Sequence, residues 1–287
     1  MSKLFAKDGA TPVALVTGAS RGIGRCGALA LARAGCDVVI TARTVREGEG
    51  RSSPSSSAFP TEEMPIPGSL HTTASEIEAL GARCLPIRMD LMDRQSVRDV
   101  ASEALDTWGR VDVLFNNAIY QGPGTMDTIL DLPLELAERC ILGDYIHPLL
   151  LTQLLVPQML ERGEGRIVNM LSEASFMTPP APAGKGGWGV AYAAAKAAFH
   201  RVTDVSHVEF FDQGVWSFSI APGLTLTESM KASGSNKVLE AAGAIPAPPE
   251  IAGAVAAWLG TSPDAAAYSG QMVSSRSLCR ELNLLES

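Results

Sequence analysis

Two side chains that could do acid–base chemistry together, Tyr192 and Lys196, lie four residues apart in the stretch WGVAYAAAKAAFHRV, residues 188 to 202. The Ala-rich composition favours a helix, where residues four apart share one face with Cβ atoms roughly 5–6 Å apart. Lowering the pKa of a phenol by about two units requires roughly 3 kcal/mol of preferential stabilisation of phenolate. An ammonium about 4 Å away offers roughly 4 kcal/mol at an effective dielectric near 20. The spacing therefore suits a proton-transferring phenol, although Tyr192 in a core and Lys196 reaching solvent would leave the same pattern.

The composition indicates one large core and argues against several kinds of partner. The 287 residues are 46% hydrophobic and 19% charged, and they contain no internal repeat. No apolar run reaches 18 residues, and the N-terminus MSKLFAKDGATP lacks the apolar region of a signal peptide, so we expect a cytoplasmic protein without a membrane partner. A net charge of −8 and a pI near 5.1 argue against nucleic acid and favour a small-molecule substrate.

The cysteines give no indication of a disulfide framework or a metal site. They are odd in number and form neither a CxxC pair nor a cluster with histidine. The five are Cys26, Cys36, Cys84, Cys140 and Cys279. Reduced thiols in a cytoplasm suit this pattern.

Short β-branched runs alternate with longer helical patterns along the chain. The predicted strands are residues 13 to 17, 37 to 41, 83 to 88, 111 to 116, 165 to 171, 215 to 220 and 270 to 274. The predicted helices are residues 22 to 34, 72 to 81, 93 to 108, 132 to 162, 190 to 213 and 248 to 260. Strands that are apolar on both faces and separated by helices imply a buried parallel sheet with right-handed crossovers. The sequence predicts an α/β fold, a doubly wound seven-stranded Rossmann-type sheet in a single domain of residues 12 to 287, preceded by a tail of residues 1 to 11.

One segment, residues 46 to 70, interrupts this alternation. It reads REGEGRSSPSSSAFPTEEMPIPGSL, rich in Ser, Pro, Gly and Glu and without a period. We expect a long surface excursion after the second strand, flexible unless a ligand or a neighbouring subunit orders it.

The first predicted strand ends in the glycine-rich turn TGASRGIG, residues 17 to 24, and a helix follows at once. Its three glycines permit a tight turn, close approach to a pyrophosphate and close packing of helix on strand, with the helix N-terminus facing the anion. A lone glycine-rich turn is a weak pattern, but its position at the start of a βαβ unit predicts a dinucleotide site. The turn residues expected to contact the cofactor are Gly18, Ser20, Arg21, Gly22, Ile23 and Gly24.

The end of the second strand indicates which dinucleotide binds. An acid there would hold a ribose hydroxyl of NAD, whereas a basic residue would accept the 2′-phosphate of NADP. Asp37 has the expected sequence distance from the glycines but lies at the start of the strand, and the strand ends in TART, residues 41 to 44. Arg43 and Arg21 therefore favour NADP(H) by charge and by fork geometry. The alternative is that Arg43 is a solvated loop charge.

Six motifs occur in the order found in one known family. They are TGASRGIG, Asp90-Leu91 after the third strand, NNA at 116 to 118, Ser172 after the fifth strand, YAAAK at 192 to 196 and APGLTLT at 221 to 227. Together they resemble the short-chain dehydrogenase/reductase family from about residue 11 to about residue 275. The resemblance implies hydride transfer between a nicotinamide and a carbonyl or alcohol carbon. It also implies a homotetramer or dimer packed through the helices at 132 to 162 and 190 to 213.

The resemblance assigns the catalytic roles. Tyr192 would be the general acid/base, Lys196 would lower its pKa and hold the nicotinamide ribose, and Ser172 would polarise the substrate oxygen. The gap from Ser172 to Tyr192 is twenty residues, where the family has about a dozen, so Ser175 competes for the role. We favour Ser172 because GRIVNMLS matches the family run without a gap. The extra residues form a loop at 176 to 189, whose Phe176, Met177, Pro179, Pro180 and Trp188 would border a hydrophobic substrate pocket or fold onto themselves.

The resemblance also implies the remaining cofactor contacts. Asp90 would face the adenine amino group beside the Leu91 backbone, and Asn117 and Ala118 would line the adenosine side of the crevice. After the sixth strand, the nicotinamide carboxamide and the pyrophosphate would meet Pro222, Gly223, Thr225 and Thr227.

Two positions depart from the family pattern. Ile119 stands where the family's NNAG has glycine, which puts a bulky side chain where the backbone usually runs close to the cofactor. Asp144 stands where the family has the Asn of its proton relay, which is thought to act through its main-chain carbonyl. An Asp could keep that role and add a carboxylate near Lys196, or it could point into solvent from a polar helix face.

Three functions fit these residues. The leading prediction is an NADP-dependent alcohol dehydrogenase or carbonyl reductase. A 3-oxoacyl thioester reductase would want a basic face for an acidic carrier protein, which a net charge of −8 does not indicate. A regulator that senses NADP without turnover would need none of Ser172, Tyr192 and Lys196.

Overall fold

A seven-stranded parallel sheet organises the protein. The computed structural model describes residues 9–58, 63–232 and 245–285. The sheet has the strand order β5-β2-β1-β6-β7-β8-β9, while β3 and β4 form a separate antiparallel ladder. The strands are β1 Val13–Thr17, β2 Asp37–Ala42, β3 Arg51–Ser52, β4 Met64–Pro65, β5 Cys84–Arg88, β6 Val113–Asn116, β7 Gly165–Met170, β8 Val215–Ala221 and β9 Met272–Ser274. The predicted α/β fold is confirmed, and each predicted sheet strand lies within two residues of an observed one.

Helices cover both faces of the sheet. The α-helices are α1 Gly22–Arg33, α2 Leu70–Ala79, α3 Arg94–Trp108, α4 Leu134–Ile141, α5 His147–Arg162, α6 Val190–Phe210, α7 Glu228–Ala232, α8 Pro249–Thr261 and α9 Ser275–Glu281. Residues next to each other along β1 point to opposite faces, so Val16 packs with α1 and α8 whereas Leu15 packs with α3 and α5. Two apolar layers therefore enclose the sheet, as the continuous apolar strands predict.

The carboxyl ends of β1 and β6 meet where the strand order reverses. The chain passes from β1 to β2 on one side, and β6 pairs with β1 on the other. The hydroxyl of Thr17 accepts hydrogen bonds from the Asn117 and Ala118 amides at 2.9 Å and donates to the Phe115 carbonyl at 3.4 Å. Such a switch point forms the crevice in which open α/β sheets bind ligands.

The segment at residues 46 to 70 is folded over its described residues. Its β3–β4 ladder pairs Arg51 with Pro65, and α2 begins at Leu70, two residues before the predicted start. Farther along, Ser56 and Ser57 donate hydrogen bonds to the buried carboxylate of Asp127. Backbone pairing and a buried acid thus give residues 46–58 and 63–70 defined contacts, while the flexibility of this excursion stays a prediction. Composition alone did not reveal either partner.

The long helix predicted at 132 to 162 contains a widened turn. α4 runs into a π-helical turn, Leu142–Ile146, and then into α5. Pro148 has no N–H, so it cannot donate an α-helical hydrogen bond to the carbonyl of Asp144 four residues earlier. The stretch Leu134–Arg162 is long and apolar enough to cross a membrane by composition, and half of its most apolar window is buried against the sheet and α6.

Candidate active site

The glycine-rich turn, residues 17 to 24, forms a cradle between β1 and α1 that any side chain on its glycines would fill. Gly18 and Gly22 have φ of +70° and +55°. A Cβ on Gly24 would stand 2.3 Å from the Gly18 carbonyl oxygen, so α1 can approach β1 this closely only with glycine there. Ser20 is buried and Ile23 half-buried in the same turn. The amides at the start of α1 therefore face the crevice, as a pyrophosphate requires.

Asn117 and Ala118 support this turn from β6. The Asn117 side-chain amide donates to the Thr17 carbonyl at 2.8 Å. The Cα of Ala118 would be 3.0 Å from a Cβ on Gly18. Asn117 is thus held by the turn itself, and the structure gives it a positioning contact where the resemblance implies an adenosine contact.

The two arginines considered for the 2′-phosphate, Arg21 and Arg43, differ in how far their guanidinium groups are held by other residues. Arg21 donates from Nε to the Pro67 carbonyl at 2.7 Å and from Nη2 to the Gly68 carbonyl at 2.7 Å and the Thr44 hydroxyl at 3.2 Å. Burial lowers the pKa of Arg21. Arg43 is exposed directly after β2, where its guanidinium can turn toward a ligand. Arg21 therefore holds the folded excursion, and Arg43 is the more available cation.

Asp37 and Asp90 lie at the positions along their strands that the sequence predicts. Asp37 starts β2 and forms an ion pair with Arg83 at 2.5 Å, far from the carboxyl end of the strand. Asp90 follows β5, and its Oδ1 accepts from the Met92 amide at 2.9 Å. The carbonyl of buried Leu91 lies 2.5 Å from Nδ1 of His147.

The segment after β8 lies against the start of α1. Thr225 donates to the Pro222 carbonyl at 3.2 Å and to the Gly223 carbonyl at 3.4 Å. The Cγ2 atom of Thr227 would be 3.3 Å from a Cβ on Gly22. Thr227 therefore lies beside the first residue of α1.

Four side chains meet at the carboxyl ends of β7 and β6. Ser172 follows β7, and its hydroxyl lies close enough to Tyr192 of α6 to lower the pKa of the phenol. The ammonium of Lys196 donates to the Met170 carbonyl at 3.1 Å and lies 6.0 Å from the centre of the Tyr192 ring. Lys196 and Asp144 are 2% and 1% exposed. Ser175 instead donates its hydroxyl to the Ser172 carbonyl at 2.8 Å, so Ser172 is the serine that meets the phenol.

Comparisons with known proteins agree with this geometry. The family described as short chain dehydrogenase matches residues 12–54 and 66–238. A 3-oxoacyl-[acyl-carrier-protein] reductase from Synechocystis is 32% identical over 90% of this chain and 93% of its own length. An L-rhamnose 1-dehydrogenase (NAD(P)(+)) from Sphingomonas is 29% identical over 76% of this chain and 74% of its own. The solved structure of an acetoin dehydrogenase from Salmonella typhimurium has a TM-score of 0.71 at 25% identity, covering 93% of this chain and 94% of that one.

The chain belongs to the short-chain dehydrogenase family. It is therefore an oxidoreductase that uses a nicotinamide dinucleotide. The cradle at Gly18 and Gly24 fits such a cofactor, because only hydrogen is tolerated where a backbone must come close. The family match leaves out residues 55 to 65, which lie within the excursion at residues 46 to 70.

Burial dominates the electrostatics of Tyr192. It raises the pKa of the phenol to about 12, the hydrogen bond with Ser172 lowers it, and the charges of Asp144 and Glu173 raise it further. The ammonium of Lys196 is directed at the Met170 carbonyl, and burial lowers its own pKa. The phenol is consequently protonated at neutral pH.

Asp144 is an internal acid and not a surface residue. Burial raises its pKa to about 6, while Lys196 and the Tyr120 amide act in the opposite direction. Its Oδ1 accepts from the Tyr120 amide at 2.5 Å, and its Oδ2 is buried without a hydrogen-bond partner among the described residues. The alternatives of a solvent-facing carboxylate and a polar helix face are both wrong. Tyr120, which the sequence did not single out, fixes this side chain through the backbone.

An apolar cavity lies beside the start of α6. It measures about 550 Å³ and does not include Ser172 or Tyr192 in its lining. The predicted loop contributes Met177, Pro179 and Trp188 to it, whereas Phe176 is 63% exposed outside it. The other lining residues are Asp127, Thr128, Ile129, Leu130, Ala181, Pro182, Ala183, Gly189, Val190 and Ala193. The loop also pairs with itself through Ala183 and Gly187.

Replacing Asp144 tests the effect of its carboxylate on the phenol. Because the charge of Asp144 raises the pKa of Tyr192, Asp144→Asn is expected to move the basic limb of the pH–rate profile downward while activity stays within about tenfold of wild type. Steady-state kinetics from pH 6 to 11 measure this shift. An upward shift would contradict the electrostatic account, and a loss above a hundredfold would show that the carboxylate itself carries protons.

Proposed function

We propose that the protein is an NADP(H)-dependent carbonyl reductase or alcohol dehydrogenase that acts on a small, hydrophobic carbonyl or secondary alcohol. The observation that carries this proposal is the meeting of Ser172, the half-buried Tyr192 and the buried Lys196 at the carboxyl end of β7. A pair of hydroxyls can hold a carbonyl oxygen from two sides and give it a proton.

In the proposed reaction, Ser172 donates a hydrogen bond to the substrate oxygen and Tyr192 transfers its proton to the same oxygen. A bound nicotinamide dinucleotide supplies the hydride to the carbonyl carbon, or accepts it in the reverse direction. Lys196 is held by the Met170 carbonyl at the floor of the site, where its charge can stabilise the phenolate that remains. Asp144, the middle residue of the π-helical turn, stabilises that ammonium through its charge.

The high pKa of Tyr192 favours the reductive direction. A phenol with a pKa of about 12 keeps its proton at neutral pH and is ready to act as an acid. Alcohol oxidation needs the phenolate, which becomes available only at more alkaline pH. We therefore expect carbonyl reduction at neutral pH and alcohol oxidation that speeds up toward alkaline pH.

The apolar cavity supports a hydrophobic substrate. Val190 and Ala193 flank Tyr192 along α6 and line the cavity with Met177 and Trp188. An apolar substituent next to the reacting carbonyl could reach this space while the oxygen stays at the hydroxyls.

A 3-oxoacyl thioester reductase is the second candidate. The similarity to the Synechocystis reductase over nearly the whole of both chains favours it. The net charge of −8 opposes docking of an acidic carrier protein. We rank it below reduction of free carbonyl compounds.

We also propose that the enzyme is a homodimer or homotetramer built on α4, α5 and α6. Leu134 on α4 and Val208 on α6 are 76% and 84% exposed, and Val205 on α6 is 45% exposed. An apolar groove of about 410 Å³ runs along α4 between Leu134 and Ile146. A second copy would remove these side chains from water, and the mass in solution measures this.

A substrate panel with a matched variant tests the proposed function. Ketones, secondary alcohols and acyl thioesters are each offered with NADPH, NADH or the oxidised cofactors, and cofactor absorbance is followed. We expect reduction of apolar ketones, and Tyr192→Phe should lower turnover about a hundredfold or more while NADPH still binds. Turnover of acyl thioesters alone would favour the second candidate. Full activity of the Phe variant would remove Tyr192 from the mechanism.

The choice of cofactor depends on Arg43. Because this exposed arginine ends β2 and Arg21 is held by backbone carbonyls, Arg43→Gln is expected to weaken NADPH binding about tenfold or more and to change NADH binding by less than about twofold. Fluorescence titration of both cofactors measures the difference, with Arg46→Gln as the control for a nearby exposed charge. An equal loss for both cofactors, or tighter NADH than NADPH in the wild type, would contradict the assignment.

A further inference from the structure

A carboxylate of the chain itself lies at the N-terminus of α1. Oε2 of Glu228 accepts a hydrogen bond from the Gly22 amide at 2.9 Å. Gly22 is the first residue of this 12-residue helix, and the preceding Arg21 provides no side-chain cap. Glu228 therefore takes one of the amides that the first turn of a helix offers to an anion.

The residues next to Glu228 also lie against the N-terminus of α1. Glu228 is the first residue of the five-residue helix α7, none of whose residues is buried. The side chain of Thr227 packs against Gly22 next to it. The negative charge of Glu228 also raises the pKa of the Arg21 guanidinium, which burial lowers.

We propose that Glu228 competes with the cofactor pyrophosphate for the amides at the start of α1, so that the dinucleotide binds only when this carboxylate leaves and the segment at residues 225 to 232 shifts. The inference rests on the dinucleotide site of the proposed function. A carboxylate and a pyrophosphate cannot share one amide, and two anions at that distance repel each other. Part of the binding free energy of the cofactor is therefore spent on displacing Glu228.

This exchange would connect cofactor binding to the shape of the site. Thr225 is tied to the carbonyls of Pro222 and Gly223, which lie at the end of β8 near Glu173. Movement of Glu228 away from Gly22 is thus transmitted along a few residues toward the serine-bearing end of β7. The dinucleotide and this segment would change position together.

Cofactor binding to charge-matched variants tests the proposal without any turnover. Dissociation constants for NADPH are measured by fluorescence titration for the wild type, Glu228→Gln and Glu228→Ala. The control is Glu250→Gln, which removes an acid in the first turn of α8 whose charge acts on Cys26 of α1. Adenosine 2′-monophosphate is titrated in parallel because it carries the 2′-phosphate and lacks the pyrophosphate.

We expect both Glu228 variants to bind NADPH about three- to tenfold tighter, with adenosine 2′-monophosphate and the Glu250→Gln control within about twofold of wild type. Unchanged or weaker NADPH binding in the Glu228 variants would overturn the proposal. Equal tightening of the monophosphate would also overturn it, because the effect would then be a general one of net charge. If the wild type prefers NADH, the cofactor assignment fails and the same comparison with NADH still decides the role of Glu228.

Discussion

The buried ammonium of Lys196 is the constraint on which the site depends. A charge with 2% exposure must be compensated, and the protein does this with the Met170 carbonyl at the end of β7 and the carboxylate of Asp144. Met170 ends β7 and Asp144 lies in the π-helical turn between α4 and α5, so Lys196 links α6 to both the sheet and this turn. Tyr192, one turn earlier on α6, is carried to Ser172 by the same contacts.

The crevice at the ends of β1 and β6 is held together by hydrogen bonds to the backbone and by glycines, and not by ion pairs. Thr17 joins the ends of β1 and β6 with three hydrogen bonds, and glycines let α1 come close to both. Arg21 then ties the turn to the segment at residues 46 to 70 through the carbonyls of Pro67 and Gly68. Ser57 of the same segment donates to Asp127, and two residues before Asp127 the carbonyl of Thr125 accepts from the amide of Gly189 just before α6. The described residues of this segment thus contact both the glycine-rich turn and the stretch of chain that adjoins the start of α6.

The fold and the meeting of Ser172, Tyr192 and Lys196 could be predicted because strand order and helical spacing determine them. The pKa of Tyr192 could not, since the argument from spacing counted the attraction of Lys196 and omitted the cost of burying the phenolate. The position of Asp144 depended on the turn widened at Pro148, for which the missing N–H was the available sign in the sequence. The contacts of Glu228 with Gly22 and of Ser56 with Asp127 join residues 206 and 71 positions apart, which no local pattern reports.

Burial favours the protonated form of Tyr192, which in the proposed reaction acts as the acid in carbonyl reduction. The pH dependence of kcat/KM for reduction of one ketone by the wild-type enzyme tests this most directly. We expect a rate that stays level from pH 7 to about 10 and falls only above that, because burial raises the pKa of Tyr192 to about 12. A decline with an apparent pKa near 8 would show instead that Lys196 outweighs burial in setting the pKa of the phenol.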